Sequence, residues 1–201
     1  MKKSILRNIS AFTFIAALAF SNIAKADDPA FDKGSNTIGI SIGLGGYRHA
    51  AVYNYGHNYS NVDLPAFSVI YDHGFFGEVG PGTIGIGGLV GYQYSFLNNY
   101  GGYNASWSNF VVAVRGTYHL TILKDKNNHF DPYAGVMAGI RFETVHNSYY
   151  DYYGDSYDAG GALPIGGAFV GAKYNFTKAF GAFAEAGYGF SFLSIGLNFN
   201  F

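Results

Sequence analysis

Five charged residues sit among apolar and small neighbours: Arg115, Arg141, Glu143, Lys173 and Glu185. Opposite charges held in a low-dielectric interior either pair as structural filling or form a path for protons or ions. A second concentration of chemistry is Tyr149-Tyr150-Asp151-Tyr152-Tyr153-Gly154-Asp155-Ser156-Tyr157-Asp158. Tyrosine offers rigid, amphipathic contact area, so Tyr149, Tyr150, Asp151, Tyr152, Tyr153, Asp155 and Tyr157 suit a binding surface. The carboxylates Asp151, Asp155 and Asp158 are Ca²⁺-ligand types, but their spacing matches no EF-hand loop, and no metal is expected. Tyr47, His49, Tyr53, Tyr55, His57 and Tyr59 form a similar stretch, and its two histidines have no zinc-site spacing. His146-Asn147-Ser148 sets a base two residues from a hydroxyl, with Asp158 as a group to orient the ring. So short a pattern recurs by chance, and no catalytic residue is expected. The Gly-x-Gly runs open no helix, so no dinucleotide site and no cofactor are expected.

What must position these groups is a series of strands. From Leu193 to Phe201 every odd residue is large and apolar: Leu193, Ile195, Leu197, Phe199 and Phe201. The even residues Ser194, Gly196, Asn198 and Asn200 are small or polar, which is a period of two. The same alternation predicts strands over about 37–45, 64–72, 83–96, 109–120, 132–144, 163–176 and 180–190, eight in all. Their outward sets include Ile38, Ile40 and Ile42, then Phe67, Val69 and Tyr71, then Val112 and Val114. This parity was set by the apolar residues alone. It places Arg115, Arg141, Glu143, Lys173 and Glu185 on the inner face, where they are expected to form one lumen charge network. The connections at 46–63, 97–108 and 145–162 are expected to be long. Those at 73–82 and 177–179 are shorter, 121–131 is intermediate, and the one around 189–192 is very tight.

Residues 1–26 read as a secretory signal peptide. Lys2, Lys3 and Arg7 precede a twelve-residue apolar run, Ile9–Phe20, and Ala24-Lys25-Ala26 is a small-x-small cleavage site. The expected mature domain, 27–201, has eight basic and thirteen acidic residues, a net charge of −5. That excludes a typical nucleic-acid partner, which needs a basic patch. With no cysteine there is no disulfide and no thiolate chemistry. Charged residues make up 12% of the chain, against about 25% in ordinary soluble domains, and aromatics make up 19%. After the leader there is no run of 18 apolar residues, which excludes membrane-spanning helices but not a barrel whose hydrophobicity hides in alternation.

With its leader, alternation, aromatic strand ends and terminal Phe201, the chain resembles the small bacterial outer-membrane barrels of the OmpA-transmembrane-domain, OmpX and OmpW type. The resemblance implies an all-β fold, an eight-stranded antiparallel transmembrane β-barrel with periplasmic termini. It implies that Phe199 and Phe201 carry the signal read by the barrel-assembly machinery. The implied surroundings are outer-membrane lipid and lipopolysaccharide, with a surface ligand or host factor as a further partner. The implied role is non-enzymatic, in envelope integrity or adhesion through the loops. An OmpW-like passage for small hydrophobic molecules is the alternative and requires an apolar lumen pocket. His146-Asn147-Ser148 resembles the His-x-Ser pair of the lipid A deacylase barrels, which makes a lipid-modifying hydrolase the third reading. An eight-stranded barrel is just wide enough for its own side chains, so general porin activity is not expected. A soluble exported sandwich is the remaining fold alternative.

Overall fold

The computed structural model describes residues 31–46, 59–99, 104–121, 128–147 and 157–201. Nine strands run in chain order: β1 (Asn36–Leu44), β2 (Tyr59–Asp63), β3 (Ala66–Val79), β4 (Gly82–Asn99), β5 (Asn104–Leu120), β6 (Phe130–Asn147), β7 (Tyr157–Asn175), β8 (Phe180–Tyr188) and β9 (Leu193–Asn200). All pairings are antiparallel. Both β2 and β3 lie against β4, one above the other, so together they form a single stave. The interruption falls at Leu64-Pro65, where proline has no N–H to give to a ladder. Eight staves therefore close into a ring, completed by β1 on β9 from Thr37↔Asn200 to Leu44↔Leu193. Phe201 extends the seam, its N–H donating to the carbonyl of Asn36 at 2.9 Å.

The period of two sorts the side chains. On β5, Val114 is 68% exposed and Val111 is 0% exposed. The exposed set around the ring includes Ile40, Phe67, Val112, Val136, Val170 and Ile195. The buried set that fills the interior includes Ile70, Leu89, Met137, Phe169 and Phe183. This is a sheet turned inside out relative to a water-soluble protein: large apolar groups outside, a polar and aromatic filling inside.

The predicted strands all exist, and the two ends of the barrel differ. At one end β3 and β4 are joined by Gly80-Pro81 alone, with Gly80 at φ 62°. Glycine first and proline second suits the tight hairpin turn whose twist matches its strands. At the other end the strands outrun the alternation. β4 and β5 pair without a break out to Asn98↔Asn104. The connection expected at 97–108 is therefore not long; it shrinks to residues 100–103. The ladder needs only backbone groups, so polar Asn98, Asn99, Asn104 and Ser106 continue it where the apolar signal stops.

The rim at this end is uneven. β7 pairs with β6 from Tyr157 to Tyr174 but with β8 only from Ala168 to Asn175. Residues 157–167 thus form one edge of a wall of β4–β7 that rises beyond β8 and β9, with no strand on their outer side among the described residues. Pro164 lies in that edge and withholds one amide from it, a common way of blunting an open edge. The tight 189–192 connection on the low side of the rim turns Phe190 into the lumen, where it is 4% exposed and its ring lies over Gly91. Phe190→Ala removes this plug and leaves a void. It should cost about 3–5 kcal/mol of unfolding free energy, read as a lower urea midpoint with the heat-dependent gel shift of the closed barrel retained.

Candidate functional site

Inward-facing residues at alternate strand positions stack along the barrel axis, so lumen side chains from several staves meet at each level. At mid-barrel Arg115 of β5 reaches across to Glu185 of β8. Its Nη2 donates to Oε1 at 2.5 Å and its Nη1 to Oε2 at 3.3 Å. Glu185 also accepts from the Tyr133 hydroxyl at 2.8 Å. The guanidinium carbon lies 4.0 Å from the centre of the Phe169 ring. This is a fork-to-carboxylate pair, buried and flanked by aromatics, the geometry in which such a pair is strongest.

Toward the short-turn end lies a second cluster. His119, fully buried, sits between two carboxylates: Nδ1 is 2.9 Å from both oxygens of Asp131, and Nε2 is 3.0 Å from Asp72 Oδ2. Thr117 donates to both Asp72 oxygens at 3.0 and 3.1 Å. The Lys173 ammonium stands 3.8 Å from Asp72. The imidazole is stacked between Phe31 at 3.7 Å and Tyr133 at 5.0 Å between ring centres. A ring with a proton on each nitrogen donates to both aspartates; a ring with one proton presents a lone pair to one of them. Below this, Asn175 Oδ1 accepts from the amides of Asn198 and Asn200 at 2.9 and 3.0 Å, joining β7 to β9.

Toward the tall rim, Arg141 and Glu143 of β6 pair at 3.4 Å and remain partly exposed. The five charges expected in one network are therefore distributed over three levels: Arg115 with Glu185, Arg141 with Glu143, and Lys173 with Asp72. Asp72, His119 and Asp131 were not named beforehand, yet parity reaches them. Asp72 follows outward Tyr71, His119 follows outward Tyr118, and Asp131 precedes outward Pro132. Phe31, outside every strand, carried no such signal.

The other candidates divide. His146 ends β6 on the outer face and is exposed, while Ser148 lies outside the described residues. Tyr149, Tyr150, Asp151, Tyr152, Tyr153 and Asp155 also lie outside them; the backbone of Tyr157 begins β7 opposite Asn147. Phe199 and Phe201 sit on the closing seam, with Phe199 opposite Phe180 and Ile38. Among the described residues no group of three His, Cys, Asp or Glu side chains is arranged to hold a metal ion.

A closed ring of eight antiparallel staves, apolar outside and ion-paired inside, defines the chain as a small β-barrel with the fold of the outer-membrane type. Solved structures with this fold include Ail, the attachment invasion locus protein of Yersinia pestis. It is 11% identical, with a TM-score of 0.52, and the match covers 84% of this chain and 99% of that one. A second Ail structure, in complex with the heparin analogue sucrose octasulfate, is 12% identical with the same TM-score, over 84% of this chain and 99% of that one. The outer membrane protein OprG from Pseudomonas aeruginosa matches at 10% identity and a TM-score of 0.52, over 87% of this chain and 99% of that one. No protein-family model and no curated protein sequence matches the chain.

Removing one partner of the central pair strands a buried charge. Glu185→Ala should cost about 3–5 kcal/mol, whereas replacing Arg115 and Glu185 together by methionine and leucine should be close to neutral. Urea midpoints of the two variants measure both; equal losses in both would mean that the pair is not the source of the effect.

Proposed function

We propose that this chain is an integral outer-membrane β-barrel without enzymatic activity. On this reading it is exported by the signal peptide 1–26, the domain 27–201 is set in outer-membrane lipid and lipopolysaccharide, and the termini face the periplasm. It acts through the surface that its tall rim and Tyr-rich loops present outside the cell, in envelope structure or in binding a surface ligand or host factor. The observation that carries this reading is the division of the molecule into a lipid-compatible exterior, a self-filled interior and a projecting wall. The exterior offers neighbours nothing but hydrocarbon over most of each stave. The interior is occupied by its own ion pairs and aromatics. The wall of β4–β7 and the connections around it remain to meet a partner.

Several features support the placement. Below the tall rim each stave is paired on both sides around the ring, which is what a strand structure in hydrocarbon requires, since no water is there to satisfy a free edge. The terminal strand ends on Phe199 and Phe201, which suits recognition by the barrel-assembly machinery. The likeness to Ail, solved with a heparin analogue, supports ligand binding at the surface as the kind of work this fold performs. The mature charge of −5 and the loop carboxylates Asp151, Asp155 and Asp158 favour a partner less anionic than heparin for this chain. A conduit for small hydrophobic molecules is less well supported: the lumen carries an ion pair at its centre, with Phe190 at one end and Phe31 at the other. The hydrolase reading requires His146 within hydrogen-bond reach of Ser148 at the outer leaflet; His146 faces outward, and Ser148 lies outside the described residues.

Two measurements test the proposal. Val114→Lys places an ammonium on the outer face. In phospholipid vesicles it should cost about 2–4 kcal/mol if that face meets lipid, against about 0.5 kcal/mol or less if it meets water. For the surface role, Tyr149, Tyr150, Tyr152, Tyr153 and Tyr157 are replaced together by serine, and retention of bacteria displaying the protein on epithelial monolayers is compared. A several-fold loss with the heat-dependent gel shift intact is expected; unchanged retention assigns the protein an envelope role instead.

A further inference from the structure

The chain does not enter the barrel directly. Asp32–Ser35 make a tight turn, Ser35 N–H donating to the Asp32 carbonyl at 3.0 Å, with Gly34 at φ 87° in the position where such a turn requires glycine. The Asp32 N–H donates to the Ser35 hydroxyl at 2.9 Å. The turn sends Phe31 back over the short-turn mouth and into the lumen, where it is 5% exposed. Its ring stacks on His119 and lies 4.9 Å from the Lys173 ammonium. The barrel accommodates this segment. Gly74 exchanges hydrogen bonds with it, donating to Ser35 O at 2.9 Å and accepting from Gly34 N–H at 2.8 Å. A side chain at Gly74 would run into the Asp32 carbonyl, and one at Gly85 would meet the Phe31 ring.

From this arrangement we infer that Phe31–Ser35 is a hinged lid that controls the access of water to the ion cluster of Asp72, His119, Asp131 and Lys173. Two observations distinguish a lid from a permanent plug. The segment is held by the Phe31 side chain and the two backbone hydrogen bonds to Gly74; Lys33 and Gly34 are exposed, and no atom lies within 4 Å of where a Gly34 side chain would start, so the turn has room to move. Segments with so few buried contacts open at low cost. Beneath the lid, the Lys173 ammonium is buried without a hydrogen-bond partner and borders a water-sized cavity, lined also by Asp72, Arg115, Tyr133 and Asn198. Opening exposes the Lys173 ammonium to solvent, while closing buries the Phe31 ring. The two positions are thus balanced against each other, and the cluster is shut off from bulk water in one and open to it in the other. Calling this mouth periplasmic rests on the orientation proposed above; the lid itself does not.

The chain has no cysteine, so one introduced thiol is a unique reporter. Thr83, fully buried on β4, is paired across the ladder with His119, and its hydroxyl has no hydrogen-bond partner, so Thr83→Cys exchanges near-isosteres at little cost. The variant is purified from cells making the full-length chain. Its labelling by neutral methyl methanethiosulfonate in detergent is followed by mass, with the heat-dependent gel shift as the check on closure. The folded parent should label far more slowly than the same chain in urea. Adding Phe31→Ala or Gly74→Val should accelerate labelling on the order of tenfold or more, and Phe31→Leu should stay near the parent. The lid is overturned if the folded parent labels as fast as the unfolded chain, or if Phe31→Ala and Gly74→Val leave the rate unchanged while the barrel stays closed. These outcomes are read in detergent at the mouth alone, so they are separate from those of Val114→Lys in vesicles, which test the membrane placement.

Discussion

The backbone ladder between β1 and β9 is the contact on which the rest of the structure depends. Each other stave is joined to the stave that precedes or follows it in the chain, so a single connection brings those partners together. The β1–β9 seam joins residues 149 to 163 positions apart, from Leu44 with Leu193 to Thr37 with Asn200. Without it two edges stand open, the lumen charges are wet, and a greasy outer face belongs to a curled sheet rather than to a closed ring. With it every ladder donor along β1 has an acceptor, the condition that allows strands to lie in hydrocarbon at all. The long reach of this contact makes it costly in loop-closure entropy and puts the last strand in charge of completion. A Phe-rich terminal strand that pairs readily is a physical answer to that cost.

Closure in turn creates the problem that the interior chemistry solves. Eight staves leave a lumen too narrow for a bulk channel and too polar, on the parity of this sequence, to be filled by hydrocarbon alone. Among the described residues, Asp72, Asp131, Glu143 and Glu185 lie beside Arg115, Arg141, Lys173 and His119 within it. Acid is matched by base at each level, and aromatic rings occupy the intervening space. A buried pair of this kind is a poor source of net stability but a strict one of register, because a slip of one residue would carry a charge to the outer face. The interior thus specifies which way each strand faces, and the exterior benefits. This leaves little room for transport, and the proposed surface role rests on what remains.

Much of this was legible in the sequence. Strand identity, outward sets and the inward placement of Arg115, Lys173 and Glu185 follow from a period of two, which is local and needs no knowledge of neighbours. The partners were not legible, because pairing across the lumen depends on the stagger of staves that only closure fixes: Lys173 lies beside Asp72 rather than Glu185. β4 and β5 are longer than the alternation predicts because Asn98, Asn104 and Ser106 carry no apolar signal while their backbones still pair. The break at Pro65 was visible as a proline but not as a stave made of two pieces. Parity places Phe190 on the outer face, as the last residue of the strand expected over 180–190; β8 instead ends at Tyr188 and the turn carries Phe190 into the lumen. Phe31, outside every strand, carried no signal.

The uneven rim has a mechanical meaning. On the proposed membrane placement, a plain cylinder in a bilayer would have no front or back, but this one carries its extra height on the staves from β4 to β7 and almost none on β8 and β9. Anything gripped by the tall side is held off the barrel axis. A pull on it acts as torque, tipping the cylinder before lifting it, and the bilayer resists tipping through the small cost per ångström of mismatched apolar height around the girdle. The membrane itself then serves as a spring in series with the grip.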